Sequence, residues 1–428
     1  MSKELLKEII RDFHQSVFPD VETRNLTVPT DSGKIVTIIG PRRAGKSYFL
    51  YYLMKKLRIP RENLVYISFE DERLDLKTEE LDLILQAYRE LYPENDLCKV
   101  FFFFDEIQNI DHWDKFIRRV YDSISRHIFI TGSNSKSLSR EISTALRGRT
   151  ICYELFPLSF PEYLSFHKVG IEIHSSKNRS LIIRHFQKYL RYGGFPELIR
   201  FEDNLKDKIL QEYFNTMLFR DIIERYEIKQ IYVLKYFIKR LFSSTGREFS
   251  INKIFNELKS QGIKIGKNLL YEFLENLENI YLMLILKRYD EKITRLELAE
   301  KKIYCIDNGI LQAVSFRFSK DSGKILENLV AIELKRRHKN VYFAKNHSEC
   351  DFIVSERDGI IACYQVCSVM NDPVTRDREI KGLINAQKKF GGAGFIITEN
   401  EEEVIKTPES NIIVIPAYKF LIFPEKYR

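Results

Sequence analysis

The stretch KIVTIIGPRRAGKSYFLYYL, residues 34–53, decides how the first part of this chain folds. Residues 34–40 read as a strand, and the β-branched run Ile35–Ile39 at their centre has the composition of a buried one. From Lys46 to Leu57 the pattern turns helical. Between them, Gly40-Pro41-Arg42-Arg43-Ala44-Gly45-Lys46-Ser47 matches GxxxxGK[ST] without a gap, in the strand–loop–helix setting the motif requires. Gly40 and Gly45 let the backbone fold tightly enough for successive N–H groups to converge on an anion. The helix that starts at Lys46 adds the positive end of its dipole. The spacing therefore predicts a loop that grips a nucleoside triphosphate through residues 40–47 and Tyr48. Lys46 is expected on the β- and γ-phosphates and Ser47 on Mg²⁺. The rival reading is a glycine-containing turn that fits by chance.

Working outward, NLVYISFED (63–71), KVFFFFDE (99–106) and HIFITGS (127–133) read as further strands separated by helical stretches. That alternation predicts a parallel α/β sheet. Four phenylalanines running into Asp105 and Glu106 describe a buried strand that ends at the edge where the loop lies. Asp105 is expected to hold Mg²⁺, directly or through water, and Glu106 to polarise an attacking water. At the end of the next strand Ser133, with Asn134 as the alternative, is placed to orient that water. Arg147 and Arg149 follow near the sheet edge, where either could neutralise charge on a neighbouring subunit's nucleotide.

The 428 residues suggest two to four domains, and 44% hydrophobic with 30% charged residues excludes a disordered chain. No apolar run approaches the length of a membrane span, and the charged start MSKELLKEIIRDFHQ has no signal-segment pattern. A cytoplasmic location, with no membrane partner, is the expectation. The six cysteines have no metal-ligand spacing and are read as reduced thiols. Residues 229–302 carry 15 Lys and Arg against 9 Asp and Glu, most of the chain's net +8. Such a local excess suits an anionic partner.

The same segment reads as helix (251–261), Gly-bounded turn, helix (266–279) and charged hairpin, the order of a winged helix-turn-helix. Lys264, Lys267 and Asn268 flank the start of the second helix, while Lys287, Arg288, Lys292 and Arg295 decorate the wing. Those cations are expected to contact DNA phosphates. A winged helix used only for protein packing is the competing reading.

GPRRAGKS (40–47), FFFFDEIQNI (101–110), ITGSNSKSLSREISTALRGR (130–149), YELFPLSFPEYL (153–164) and YGGFPELI (192–199) together resemble the AAA+/STAND-related archaeal and bacterial ATPases that carry a restriction-endonuclease-like C-terminal domain. The resemblance covers nearly the whole chain. It implies that ATP is the nucleotide, and that Gly194-Phe195-Pro196 is the lid element lying against the adenine. It also implies ATP-dependent conformational work. In the C-terminal part, the order Glu327, Asp351, strand 360–369 resembles the PD-(D/E)xK nuclease core, which implies a possible second metal site at Glu327, Asp351 and Gln365. Cys367 stands where that core has a lysine, and a thiol cannot steady phosphate charge. Thr375 near a helix start, with Arg376, Arg378 and Lys381 behind it, offers further cations for phosphate.

The expected fold class is α/β: a P-loop NTPase parallel sheet (1–160), a helical lid (161–239), a winged helix-turn-helix (240–310) and a C-terminal restriction-endonuclease-like α/β domain (311–428). The expected function is a Mg-dependent ATP hydrolase that binds DNA and couples nucleotide state to conformational change. A nucleotide-gated switch with a protein partner and a metal-dependent nuclease are the alternatives. The arginine reading calls for a homo-oligomer.

Overall fold

The computed structural model describes residues 2–132, 142, 144–290, 292, 300–315, 322–345, 349–357, 359–407 and 411–427. Among them the chain forms two compact units, residues 1–156 and 157–428.

In the first unit, helix α1 (Lys3–Gln15) leads into β1 (Ile35–Ile39) and α2 (Lys46–Leu57). Then follow β2 (Leu64–Ser68), α3 (Asp82–Leu91), β3 (Phe101–Asp105), α4 (Trp113–Ser123), β4 (Ile128–Gly132) and β5 (Thr150–Glu154). The five strands pair in parallel in the order β2-β3-β4-β1-β5. This is the α/β fold of a P-loop NTPase. Parallel strands joined by helices are covered on both faces, so the central ones are apolar throughout. All five residues of β1 are buried, and Phe102, Phe103 and Phe104 of β3 are inaccessible. Burying each ring contributes about 2 kcal/mol by transfer from water. Successive side chains alternate between faces: Phe102 and Phe104 join the core with α1, α3 and α4, and Phe103 joins the core with α2.

The second unit begins with helices α5 (Phe160–Phe166), α6 (Ser176–Tyr192), α7 (Asp203–Thr216) and α8 (Ile231–Ser243). The sequence GGFP ends α6: Gly193 leaves the helix at φ +75° and Pro196 opens a short 3₁₀ turn. Next come β6 (Glu248–Phe249), α9 (Ile251–Ser260), α10 (Lys267–Asn279), β7 (Met283–Arg288) and β8 (Lys301–Cys305). After them follow α11 (Asn308–Val314), α12 (Ser322–Arg337), β9 (Asn340–Ala344), β10 (Cys350–Glu356), β11 (Gly359–Val366), α13 (Pro373–Phe390), β12 (Ala393–Thr398), β13 (Glu403–Lys406), β14 (Asn411–Pro416) and α14 (Ala417–Ile422).

One nine-stranded sheet runs through this unit in the order β13-β14-β12-β11-β10-β9-β7-β8-β6. The β7–β8 hairpin is joined to the C-terminal strands because β7 pairs in parallel with β9, Lys287 opposite Tyr342 and Arg288 opposite Phe343. The sheet therefore crosses residue 310, where the sequence suggested a boundary. Asp307, fully buried, ties two segments together: it accepts hydrogen bonds from the N–H groups of Gly194, Gly309 and Ile310. A Cβ at Gly193 would fall 2.0 Å from its carboxylate, so only glycine lets the end of α6 approach this closely. Among the described residues no helix is long and apolar enough to cross a membrane. All six cysteines are free.

Candidate functional site

The loop between β1 and α2 builds the site in the first unit. Gly40 adopts φ +154° and Gly45 φ +93°, and a Cβ on Gly40 would stand 2.2 Å from the Leu155 carbonyl oxygen. Both positions need glycine for conformation, and Gly40 needs it for space as well. Gly45 also caps α2, so the free N–H groups of its first turn face the loop's hollow. Pro41 accepts the Ala44 N–H at 3.2 Å, which closes the turn, and Arg43 sits at φ +67°. Arg42 pairs with Glu70 at 3.0 Å. From the N-terminal segment the buried Arg24 donates to the carbonyls of Ala44 and Phe156, bracing the loop from behind. Tyr48 is 48% exposed and packs edge-on against Tyr51.

Lys46 is buried, with its ammonium 3.3 Å from the carbonyl oxygens of Gly40 and Pro41 and 3.2 Å from Glu106 Oε1. β3 carries Asp105 to the same edge, and Glu106 follows at φ +53°. The Ser47 hydroxyl lies near enough to the Asp105 carboxylate to favour its charged form. Asp105 also accepts from Tyr66 at 2.9 Å and from Thr131. Thr131 takes the Glu106 N–H at 2.9 Å, and Gln108 donates to Glu106 Oε2 at 2.5 Å. Burial, and then the charge of Glu106, push the Asp105 carboxyl above its ordinary range, while the hydroxyls of Ser47, Thr131 and Tyr66 draw it back. Lys46 pairs with Glu106, so the Asp105 carboxylate, oriented by Tyr66 and Thr131, is the group a divalent cation would take. The hydroxyl and carboxylate donors suit Mg²⁺, which keeps several waters of its own. The chain thus brings Lys46, Ser47, Asp105 and Glu106 together.

Thr131, Tyr66, Gln108 and Arg24 are site residues that the sequence reading missed. Thr131 had a signal. It is a polar residue inside the apolar run of β4, and the register that sets Phe104 beside Ile130 puts Thr131 next to Asp105. Ser133 and Asn134, expected at that place, lie outside the described residues. Arg149 is held within its own chain by Asp122 at 2.9 and 3.0 Å, and Arg147 is exposed in the preceding turn. Pro196 belongs to the second unit.

In the second unit Lys264 and Asn268 are exposed, while Lys267 is half-buried with its ammonium over the Tyr271 ring. Beyond its first turn the outer face of α10 is acidic, with Glu272 and Glu275 exposed. Lys287 and Arg288 are half-buried in β7, and Lys292 is exposed. Arg295 lies outside the described residues. Asp372, not Thr375, caps α13, and the side chains of Arg376 and Arg378 are paired with Glu403 and Glu379.

Glu327 and Asp351 do approach one another, and Lys302 of β8 lies between them, 3.3 Å from Glu327 Oε1 and 3.0 Å from Asp351 Oδ1. Burial, then the charge of Asp351, push the Glu327 carboxyl up to about 7, and burial pushes Asp307 up to about 6. Between about 4.3 and those values each holds a proton in the folded state that it releases on unfolding, so stability falls as pH rises toward 7, above which Glu327 faces Lys302 as a carboxylate. Glu327→Gln should flatten that fall, seen as a smaller change in the urea midpoint between pH 5 and 7. An unchanged slope would refute the assignment.

Residues 32–164 match the AAA domain family, and residues 183–321 match a domain of unknown function, DUF8612. The uncharacterized protein MJ1544 of Methanocaldococcus jannaschii is 35% identical over 435 residues, covering 98% of this chain and 95% of that one. An uncharacterized protein of Haemophilus influenzae is 32% identical over 335 residues, covering 77% of this chain and 82% of its own. Among solved structures, the Aeropyrum pernix ORC1 protein in complex with DNA matches with a TM-score of 0.29 at 10% identity, over 78% of this chain and 92% of that one.

Proposed function

This chain, whose residues 32–164 match the AAA domain, belongs to one family with MJ1544 and the Haemophilus influenzae protein, and from that premise we propose that it is a Mg²⁺-dependent ATP hydrolase. One observation carries the reading: Lys46, Ser47, Asp105 and Glu106 converge at one end of a parallel sheet, with Lys46 and Glu106 3.2 Å apart. The loop's main-chain N–H groups bind the phosphates, and Lys46 exchanges two carbonyls for phosphate oxygens. Ser47 and Asp105 would hold Mg²⁺, which neutralises the charge that develops as the terminal phosphoryl group leaves. Glu106 Oε2, steadied by Gln108, accepts the proton of the attacking water. Tyr66 and Thr131 fix the direction of the Asp105 carboxylate.

DNA is the proposed second partner. The element order α8–β6–α9–α10–β7–β8, with β6 antiparallel to β8, supports a winged-helix reading of residues 231–305. Lys264, Lys267 and Asn268 gather at the first turn of α10, the end that a winged helix presents to the groove. The acidic Glu272 and Glu275 confine the contact to that turn. The test is binding of duplex DNA across salt concentrations: Lys264→Ala with Lys267→Ala should lower the log–log salt slope by about 2. DNA binding that is absent, or whose slope ignores both lysines, would leave the nucleotide-gated protein switch as the better reading. An ATPase assay with and without several DNA forms separates the two directly.

A further inference from the structure

The nuclease-like order of Glu327, Asp351 and Gln365 implies a divalent cation, and the side chains present do not fit one. Gln365 is engaged at both ends: Oε1 accepts the Asp351 N–H at 3.2 Å and Nε2 donates to Glu379 Oε2 at 2.5 Å. Asp351 Oδ2 accepts the Val366 N–H at 3.1 Å, and Oδ1 faces the Lys302 ammonium at 3.0 Å. Glu327 Oε1 accepts from Tyr304 at 2.8 Å as well as from Lys302, and Gly246 backs onto Oε2, where a Cβ would come within 2.9 Å. Among the described residues no group of three or more His, Cys, Asp or Glu is placed to hold a metal.

We propose that Lys302 is the resident cation of the Glu327–Asp351 pair, its ammonium occupying the position that a divalent metal would take. The physical argument is one of charge and space. The side chains of Lys302, Glu327 and Asp351 are only 14%, 14% and 16% exposed, so little water screens them. In such surroundings a metal placed between the carboxylates repels the ammonium strongly. It could enter only by expelling Lys302 and leaving a buried cation unpaired, which is costly. The three residues come from β8, α12 and β10, so the cluster is an ionic clasp that fastens the β7–β8 hairpin to the C-terminal strands. On this account the second unit does not cut nucleic acid by metal-assisted hydrolysis at these acids. The inference stands apart from the proposed ATPase, whose residues lie in the other unit.

Mn²⁺ is the probe, titrated into the nucleotide-free full chain and followed by the loss of the free-ion electron paramagnetic resonance signal. Wild type and Asp351→Asn should bind Mn²⁺ alike. Lys302→Met vacates the cation position without changing its length much, and it should bind one Mn²⁺ at least tenfold more tightly than wild type. That gain should disappear in Lys302→Met combined with Asp351→Asn. Wild type binding an ion that Asp351→Asn loses would overturn the proposal, as would a folded Lys302→Met chain that binds no more tightly than wild type. Should circular dichroism show Lys302→Met unfolded, the comparison of wild type with Asp351→Asn decides: equal binding supports the clasp, and weaker binding in the variant overturns it.

Discussion

Lys46→Ala should lower ATP turnover by about a thousandfold, the usual scale for removing one preorganised donor from a site where charge develops. Two losses act together. The phosphates lose the only lysine of the loop, and Glu106, 6% exposed, loses the ammonium 3.2 Å from its Oε1. A buried carboxylate without that partner takes up a proton more readily, so the residual activity should also need a higher pH. The steady-state ATPase rate and its pH profile measure both effects. A variant within tenfold of wild type would remove Lys46 from the mechanism.

Glu106→Gln should fall in rate by about 100- to 10,000-fold, the range for loss of a general base, yet still bind ATP. Glutamine keeps the shape, so Lys46 and the 310-type turn around Gln108 have no steric reason to move. The negative charge beside Asp105 disappears, and with it the second largest influence that raises the Asp105 carboxyl. Asp105 then ionises more easily and becomes a better magnesium ligand. Binding of the Mg²⁺–nucleotide complex should therefore be equal to wild type or tighter, while hydrolysis stops. Affinity falling in step with rate would show that Glu106 binds rather than catalyses.

The phosphate loop was legible because its parts are contiguous: eight residues between a β-branched run and a helical one carry both geometry and charge. Asp105 and Glu106 were legible because a buried strand ending in acids is unusual in an apolar run. Thr131 and Tyr66 were not, since what brings them to Asp105 is the register between separate strands. Lys302 illustrates the same limit at longer range. It sits 49 residues before Asp351, and only the folded sheet shows that its ammonium lies 3.0 Å from Asp351 Oδ1. The joining of β7 to β9 was likewise hidden, because parallel pairing across more than fifty residues leaves no local signature. The acidic face of α10 could have been read from its helical spacing, and it narrows the DNA proposal to one turn.

The central claim is that the loop between β1 and α2 holds a triphosphate by its backbone and Lys46. Isothermal titration of ATP with Mg²⁺ into the full chain tests it most directly. One saturable site per chain, lost in Lys46→Ala, is the expected result; no binding by the wild type, or equal binding by the variant, contradicts it.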